Sequence, residues 1–376
     1  LIINNNTSGT GIILANDVTL DDLTADSYLV FFEGAENSGV FFNTDDDTDA
    51  NLVVADYAAR GTAATFDYND SAQSFVIAND FGTIDMDASS VGDEWNSGEE
   101  LSVTLIDQDL NKNNYSGEDL LLVNTTTGHL VPSLQIGSPL TVLTTADDTD
   151  TVTFSKIAYY TNTSTTKTVR DGAATNFSIN VGYTGEQIDA IDTVNTYFNY
   201  DFTSFTNATN PVVGVCLIEA GSNDSIVCES SLAKGIVEIP LPATATGEMT
   251  VELKMTQANG AGTGTMVTLP YVADVFSFAD DGTNNAIYRL QLTESGDDTG
   301  VFEGTVEYVM LNQINKNLDS TYTDLATIDE DIVIIVEQDM TDEDSPRINY
   351  LDLGADGVST QIADQLEAPT HSGVVS

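Results

Sequence analysis

Two acidic stretches carry the residue types and spacing of an oxygen-donor cation loop. In DQDLNKNNYSGE (107–118), Asp107, Asp109, Asn111 and Asn113 fall at alternate positions and Glu118 is twelfth. In DDDTDANLVVAD (45–56), Asp45, Asp47, Asp49, Asn51 and Asp56 are placed in a similar way. Hard cations such as Ca2+ take roughly six to eight oxygens from closely spaced carboxylates, amides and carbonyls. The spacing resembles an EF-hand loop, but Lys112 and Ala50 stand where that loop has glycine, and flanking helices are lacking. Alternate residues of an extended loop also point their oxygens one way. A Ca2+ or other divalent site without a helical frame is therefore the expectation, and a solvated acidic turn is the alternative. TADDTDT (145–151), ADDGTNN (279–285) and MTDEDSP (340–346) are further acidic turns.

Patterns for catalysis are missing. Carboxylate pairs are too abundant for one to stand out as an acid–base couple. Neither His129 nor His371 has a Ser or Cys motif beside it, and the chain holds no GxSxG, phosphate-binding loop, dinucleotide fingerprint, HExxH or CxxC. Enzymatic activity is not expected.

The charge limits the partners. Sixty Asp and Glu face ten Lys and Arg over 376 residues, a formal net charge of −50. Such a surface repels phosphate, which excludes nucleic-acid binding and docking on an anionic membrane face. Like charges at this density oppose compactness unless ions screen or bridge them. Salty surroundings, divalent partners or both are expected. Mean hydropathy is −0.07, and no apolar run approaches the ~20 residues that span a bilayer, so no direct membrane insertion is expected. The chain opens at Leu1 with no basic-then-apolar leader and reads as a mature protein or a slice of a longer one.

The two cysteines lie in VVGVCLIEAGSNDSIVCES, a strand, a turn and a strand. Folding that hairpin about Ser222 sets Cys216 opposite Cys228, within reach of a disulfide, which implies an oxidising, extracellular setting. Two small buried hydrophobes are the other possibility. Asn-x-Ser/Thr sequons at Asn5, Asn6, Asn69, Asn114, Asn124, Asn162, Asn176, Asn207 and Asn223 fit an outward-facing glycoprotein.

The elements that must position these groups are strands. Alternating or short apolar runs rich in Thr, Val, Ile, Tyr and Phe recur between Gly, Asn, Asp and Ser. Examples are ELSVTLID (100–107), NFSINVGY (176–183), EMTVELKM (248–255), VFEGTVEYVML (301–311) and EDIVIIVEQD (330–339). One short helix is expected around 186–198. An internal repeat organises the chain: LVFFEGAENSGVFF (29–42) aligns without a gap on LQLTESGDDTGVFE (290–303), and SVTLIDQDLN (102–111) on IVIIVEQDMT (332–341). Two copies of one β-module are expected over 1–130 and 268–376, with a different β-module carrying the Cys hairpin over 131–267.

ESGDDTGVFEGTV (294–306) and VTLIDQDLNKN (103–113) resemble recurrent phrases of the surface-layer (S-layer) proteins of ammonia-oxidising archaea. The resemblance implies an all-β fold of tandem immunoglobulin-like antiparallel β-sandwich domains in a secreted, acidic glycoprotein. It further implies self-association with neighbouring copies into a lattice at the cell surface, helped by divalent cations, with enrichment of cations such as ammonium. An extracellular adhesin or filament subunit assembled by β-strand exchange is the alternative reading.

Overall fold

The computed structural model describes residues 12–14, 31–42, 52–54, 63–76, 78–92, 94–111, 116–124, 128–137, 139–141, 158–161, 176–189, 193–205, 212–219, 225–230, 233–239, 247–255, 268–279, 284–315, 318–323, 325–337, 340, 345–354, 358–366 and 370–371. Among these residues the chain is mostly β, built into several largely antiparallel sheets. No helix among them is long and apolar enough to cross a membrane.

Burial follows the alternation of the sequence. In Leu101–Ile106, Leu101, Val103 and Leu105 are buried while Ser102 and Thr104 are half-buried. This strand lies inside a six-stranded sheet ordered Asp119–Leu120, Leu292–Glu294, Val301–Met310, Leu101–Ile106, Thr83–Met86. Asp331–Val336 adds to it in parallel along Val301–Met310. A five-stranded sheet runs Ile328–Asp329, Ala286–Leu290, Ser133–Ile136, Arg347–Leu353, Ser359–Gln365. Leu105, Val306 and Ile334 of the first sheet share one core with Leu134, Tyr288 and Ile348 of the second. Each such side chain contributes roughly 1.5–3 kcal/mol on burial. The two sheets thus make a sandwich-like body.

Strands from both repeat copies build this body. Leu101–Ile106 pairs antiparallel with Val301–Val306, and Ser133–Ile136 pairs with Ala286–Arg289. The first of these pairings joins residues of 1–130 to residues of 268–376, and the second brings in the start of the middle stretch. Thr268–Ala279, which begins at the expected boundary of 267/268, pairs with Thr193–Asp201 of the middle stretch.

The middle stretch holds the remaining two large sheets. Thr193–Asp201 sits between Thr268–Ala279 and Lys234–Ile239, with Tyr197 turned into the sandwich core and Phe198 stacked on Tyr200. The helix expected over 186–198 is confined to Gly185–Asp189. Beyond it, the Thr, Val, Tyr and Phe of TVNTYFNYD find strand partners on both sides, and pairing overrides the weak helical pattern. In the other sheet, Cys216 lies directly opposite Cys228 and the disulfide is formed.

Arg289 joins the middle sheet to the sandwich. It is fully buried, and its guanidinium grips Asp274 through Nε–Oδ2 at 3.1 Å and Nη2–Oδ1 at 3.0 Å. Beside it, the Asn199 amide donates to the Ile287 carbonyl and the Thr327 hydroxyl donates to Asn199. Lys234 pairs with Asp329 at 2.7 Å nearer the surface.

The two repeat hairpins share one local design. Gly300 N–H donates to Glu294 Oε1 at 2.6 Å, and Gly39 N–H to Glu33 Oε1 at 2.7 Å. Ser295 N–H reaches the Val301 carbonyl and Gly34 N–H the Val40 carbonyl. The two glycines, at φ +62° and +67°, occupy the left-handed region that the turn requires. The glutamate is therefore part of the turn. Burial alone would raise the Glu294 carboxyl, but N–H donors from Gly300, Glu118 and Thr299 outweigh it and hold it below the ordinary glutamate range.

Two outcomes follow. Asp274→Ala leaves the Arg289 charge buried and unpaired, which is expected to cost about 3–5 kcal/mol in chemical denaturation, whereas an Asp274→Leu/Arg289→Met pair recovers most of that loss. A depressed Glu294 contributes stability that is present above its unfolded value near 4.5 and lost as pH falls through the lower folded value. Glu294→Gln should lower the melting temperature at pH 7 and flatten its fall below about pH 4.5.

Candidate metal centre

The alternation that buries Leu101, Val103 and Leu105 carries Asp107 to the inner side at the end of its strand, where it too is buried. On the opposite sheet, Ile348, Tyr350 and Asp352 alternate onto one face of Arg347–Leu353, and Asp352 is buried as well. Asp109 follows on the solvent side. Carboxylate oxygens of Asp107, Asp109 and Asp352 all lie within 4.8 Å of one another. One carboxylate thus comes from each layer of the sandwich and a third from the adjoining loop.

Hydrogen bonds fix the cluster without neutralising it. Asp107 Oδ2 accepts from the Tyr350 hydroxyl and Oδ1 from Asp109 N–H at 2.9 Å. Asp352 Oδ2 accepts from Gly82 N–H at 3.0 Å, and Asp109 Oδ2 from Asp80 N–H at 3.1 Å. Gly82 is packed closely: a Cβ there would stand 3.3 Å from the Tyr350 ring and 3.4 Å from Asp107 Cβ. Burial first, then the neighbouring Asp107 charge, pushes the Asp109 carboxyl up to about 6. Burial and the Asp107 carboxylate also raise Tyr350, which keeps its phenol protonated and donating.

The donors are all hard oxygens, with no thiolate or imidazole among them. This set suits Ca2+ or Mg2+ and disfavours thiophilic metals. Asp107, Asp109 and Asp352 would hold such an ion, with water or backbone oxygens completing its shell.

The sequence pattern and the geometry overlap in part. Asp107 and Asp109 meet as their spacing suggests. Asn111 instead donates from Nδ2 to Asp298 Oδ1 at 2.9 Å, and Glu118 N–H donates to Glu294 Oε2 at 3.1 Å. The twelve-residue frame is thus drawn out along the second repeat hairpin, and Asp352 stands where the loop pattern put Glu118. Asn113 and the whole set Asp45, Asp47, Asp49, Asn51 and Asp56 lie outside the described residues. Asp352 belongs to INYLDL, whose alternation marks it as inward-facing but whose composition carries no loop signature. Of the sequons, Asn69 is exposed in a tight turn, Asn124 is exposed, and Asn176 opens Asn176–Thr184. Asn5, Asn6, Asn114, Asn162, Asn207 and Asn223 lie outside the described residues.

DQDLN also grips the repeat turn. Asp107 N–H donates to the Gly300 carbonyl at 2.9 Å, and Gln108 Nε2 to the Thr299 carbonyl at 2.7 Å. A Cβ on Gly300 would meet the Gln108 amide, which would have to move aside, while the positive φ of the turn is what calls for glycine. No protein-family model matches this chain, and no curated protein matches it either.

Asp109 provides a pH test. Its raised value means that its contribution to stability is complete below about 3.8 and lost as pH rises through about 6. In chelator, Asp109→Asn should raise the melting temperature at pH 7.5 and leave it unchanged at pH 3.5. A variant that is neutral at both would show that the cluster carries no strain.

Proposed function

We propose that this chain is a structural unit of an acidic extracellular surface layer, in which immunoglobulin-like sandwiches are stiffened by divalent cations of the Ca2+ class. The observation that carries this reading is the convergence of Asp107, Asp109 and Asp352 from both layers of one sandwich within 4.8 Å. An ion there ties the layers to each other and to the 80–82 segment. The same ion relieves repulsion that a chain of net charge −50 cannot relieve with ten basic residues.

Three further features support it. The disulfide between Cys216 and Cys228 suits an oxidising exterior. Asn69 and Asn124 present exposed sequons. The two phrases that resemble those of archaeal S-layer proteins also touch one another, DQDLN against DDTG, so the resemblance covers one interacting unit. The cluster is intramolecular, so the ion's first role is to rigidify the subunit. Bridging between subunits falls to surface carboxylates, where each close exposed pair costs roughly 1 kcal/mol until an ion bridges it. Carboxylates left around openings enrich NH4+ and other cations over a Debye length of about 8 Å, which matters in narrow pores.

Calorimetric titration of the chelated protein with Ca2+ should show a saturable site and a rise in melting temperature, both abolished by Asp352→Asn. Negative-stain imaging of the same samples should show sheets with Ca2+ and dispersed particles in chelator. Sheets that persist unchanged in chelator would remove cations from the assembly mechanism.

A further inference from the structure

The two repeat hairpins share their turn but differ in their surroundings. In the second copy, Leu292 and Phe302 are fully buried. Leu101–Ile106 lies along one edge of that hairpin and Asp119–Leu120 along the other. Four polar contacts lock the covering segment onto the turn: Asp107 N–H to Gly300, Gln108 Nε2 to Thr299, Asn111 Nδ2 to Asp298, and Glu118 N–H to Glu294 Oε2.

The first-copy hairpin, Phe32–Glu33 and Phe41–Phe42, pairs with itself in the same way. Its apolar positions are open to solvent: Phe31, equivalent to Leu292, is 46% exposed, and Phe41, equivalent to Phe302, is 59% exposed. Val40 is 53% exposed. Among the described residues, no strand pairs with its outer edges. A Cβ on Gly39 would meet nothing within 4 Å, whereas the matching space over Gly300 is filled by Gln108. The chain's own covering strand is committed, because Leu101–Ile106 has Val301–Met310 on one side and Thr83–Met86 on the other.

We infer that residues 31–42 form an acceptor for an extended segment of the 101–111 type, supplied by another module that carries the same repeat. The second copy specifies the occupant's chemistry. In the register of the second copy Leu105 stands opposite Phe302, so the last apolar residue of the occupant lies opposite Phe41, and an Asp-Gln-Asp-Leu-Asn tail reads the turn. The Gln amide donates to the Ser38 carbonyl over Gly39, and the Asn amide donates to the Asn37 side chain. Main-chain pairing supplies affinity and the alternate side chains supply register, as in strand addition generally. The inference goes beyond the surface-layer reading, since such an acceptor would join modules in a sheet, a fibre or a linear array alike.

The probe is a labelled peptide of residues 99–113 added to the full chain. Saturable binding by fluorescence anisotropy is expected, with amide exchange slowed within residues 32–42. Phe41→Asp should weaken binding at least tenfold while leaving far-UV circular dichroism and the melting temperature unchanged, because Phe41 is exposed. Replacing Gln108 by Ala in the peptide should weaken it several-fold. Absence of saturable binding, binding indifferent to Phe41→Asp, or protection at Val301–Met310 in place of 32–42 would each overturn the inference. So would a Phe41-dependent dimer that the peptide fails to dissociate, which would make a second copy the occupant.

Discussion

The antiparallel pairing of Leu101–Ile106 with Val301–Val306 is the constraint on which the rest depends. It joins the apolar strand of the first repeat copy to the hairpin of the second, about two hundred residues away. It completes the central sheet, buries Phe302 and Val306, and sets the end of the strand beside Arg347–Leu353 of the facing sheet. Asp107 meets Asp352 because of this register. A slip of one residue would turn Asp107 outward and set Ile106 and Thr104 against the core. The same pairing delivers Gln108 and Asn111 to the second repeat turn, whereas among the described residues no strand flanks the first hairpin.

One short phrase thus serves two functions. Within DQDLN, Asp107 and Asp109 reach the carboxylate cluster, Gln108 and Asn111 reach the turn, and Leu110 anchors in the core. A turn makes this possible: the strand ends at Ile106 and Leu110 N–H bends back to the Asp107 carbonyl, so neighbouring side chains fan in different directions. The cost is that both functions share one backbone. An ion drawn to Asp107 and Asp109 would also tighten the grip on Thr299 and Gly300, so cation binding and hairpin closure are mechanically linked through five residues.

Much of the secondary structure was legible in the sequence, and less of the tertiary arrangement. The alternation of ELSVTLID, EMTVELKM and VFEGTVEYVML marks strands that the structure contains at those places. The Cys216–Cys228 pairing was readable because a hairpin folded about its turn fixes which residues face each other. The repeat showed that 29–42 and 290–303 are alike, and their turns do share the same hydrogen bonds. Likeness does not reveal strand sharing, however, so the interlocking of the copies lay beyond the pattern. Asp352 was hidden for a related reason: it joins the cluster across a sandwich, and nothing local in INYLDL announces a partner so distant in sequence. The short helix expected around 186–198 stops at Asp189, because the Thr, Tyr and Phe from 193 onward prefer a strand and find partners there.

A net charge of −50 could be tolerated by salt alone, and the cluster separates that explanation from a specific ion. Exposed carboxylates more than a Debye length apart, about 8 Å in physiological salt, are screened by any electrolyte. The Asp107 and Asp352 carboxylates are buried and stand no more than 4.8 Å apart, inside that length and away from bulk ions. At an effective dielectric constant near 20, repulsion across such a gap is roughly 3 kcal/mol, and added NaCl hardly changes it. A bound divalent cation removes it and replaces it with attraction. Monovalent salt should therefore act on the surface, gradually and without saturation, while Ca2+ acts on the cluster, saturably and at far lower concentration. The two responses separate a general screening of surface charge from an effect seated at Asp107, Asp109 and Asp352.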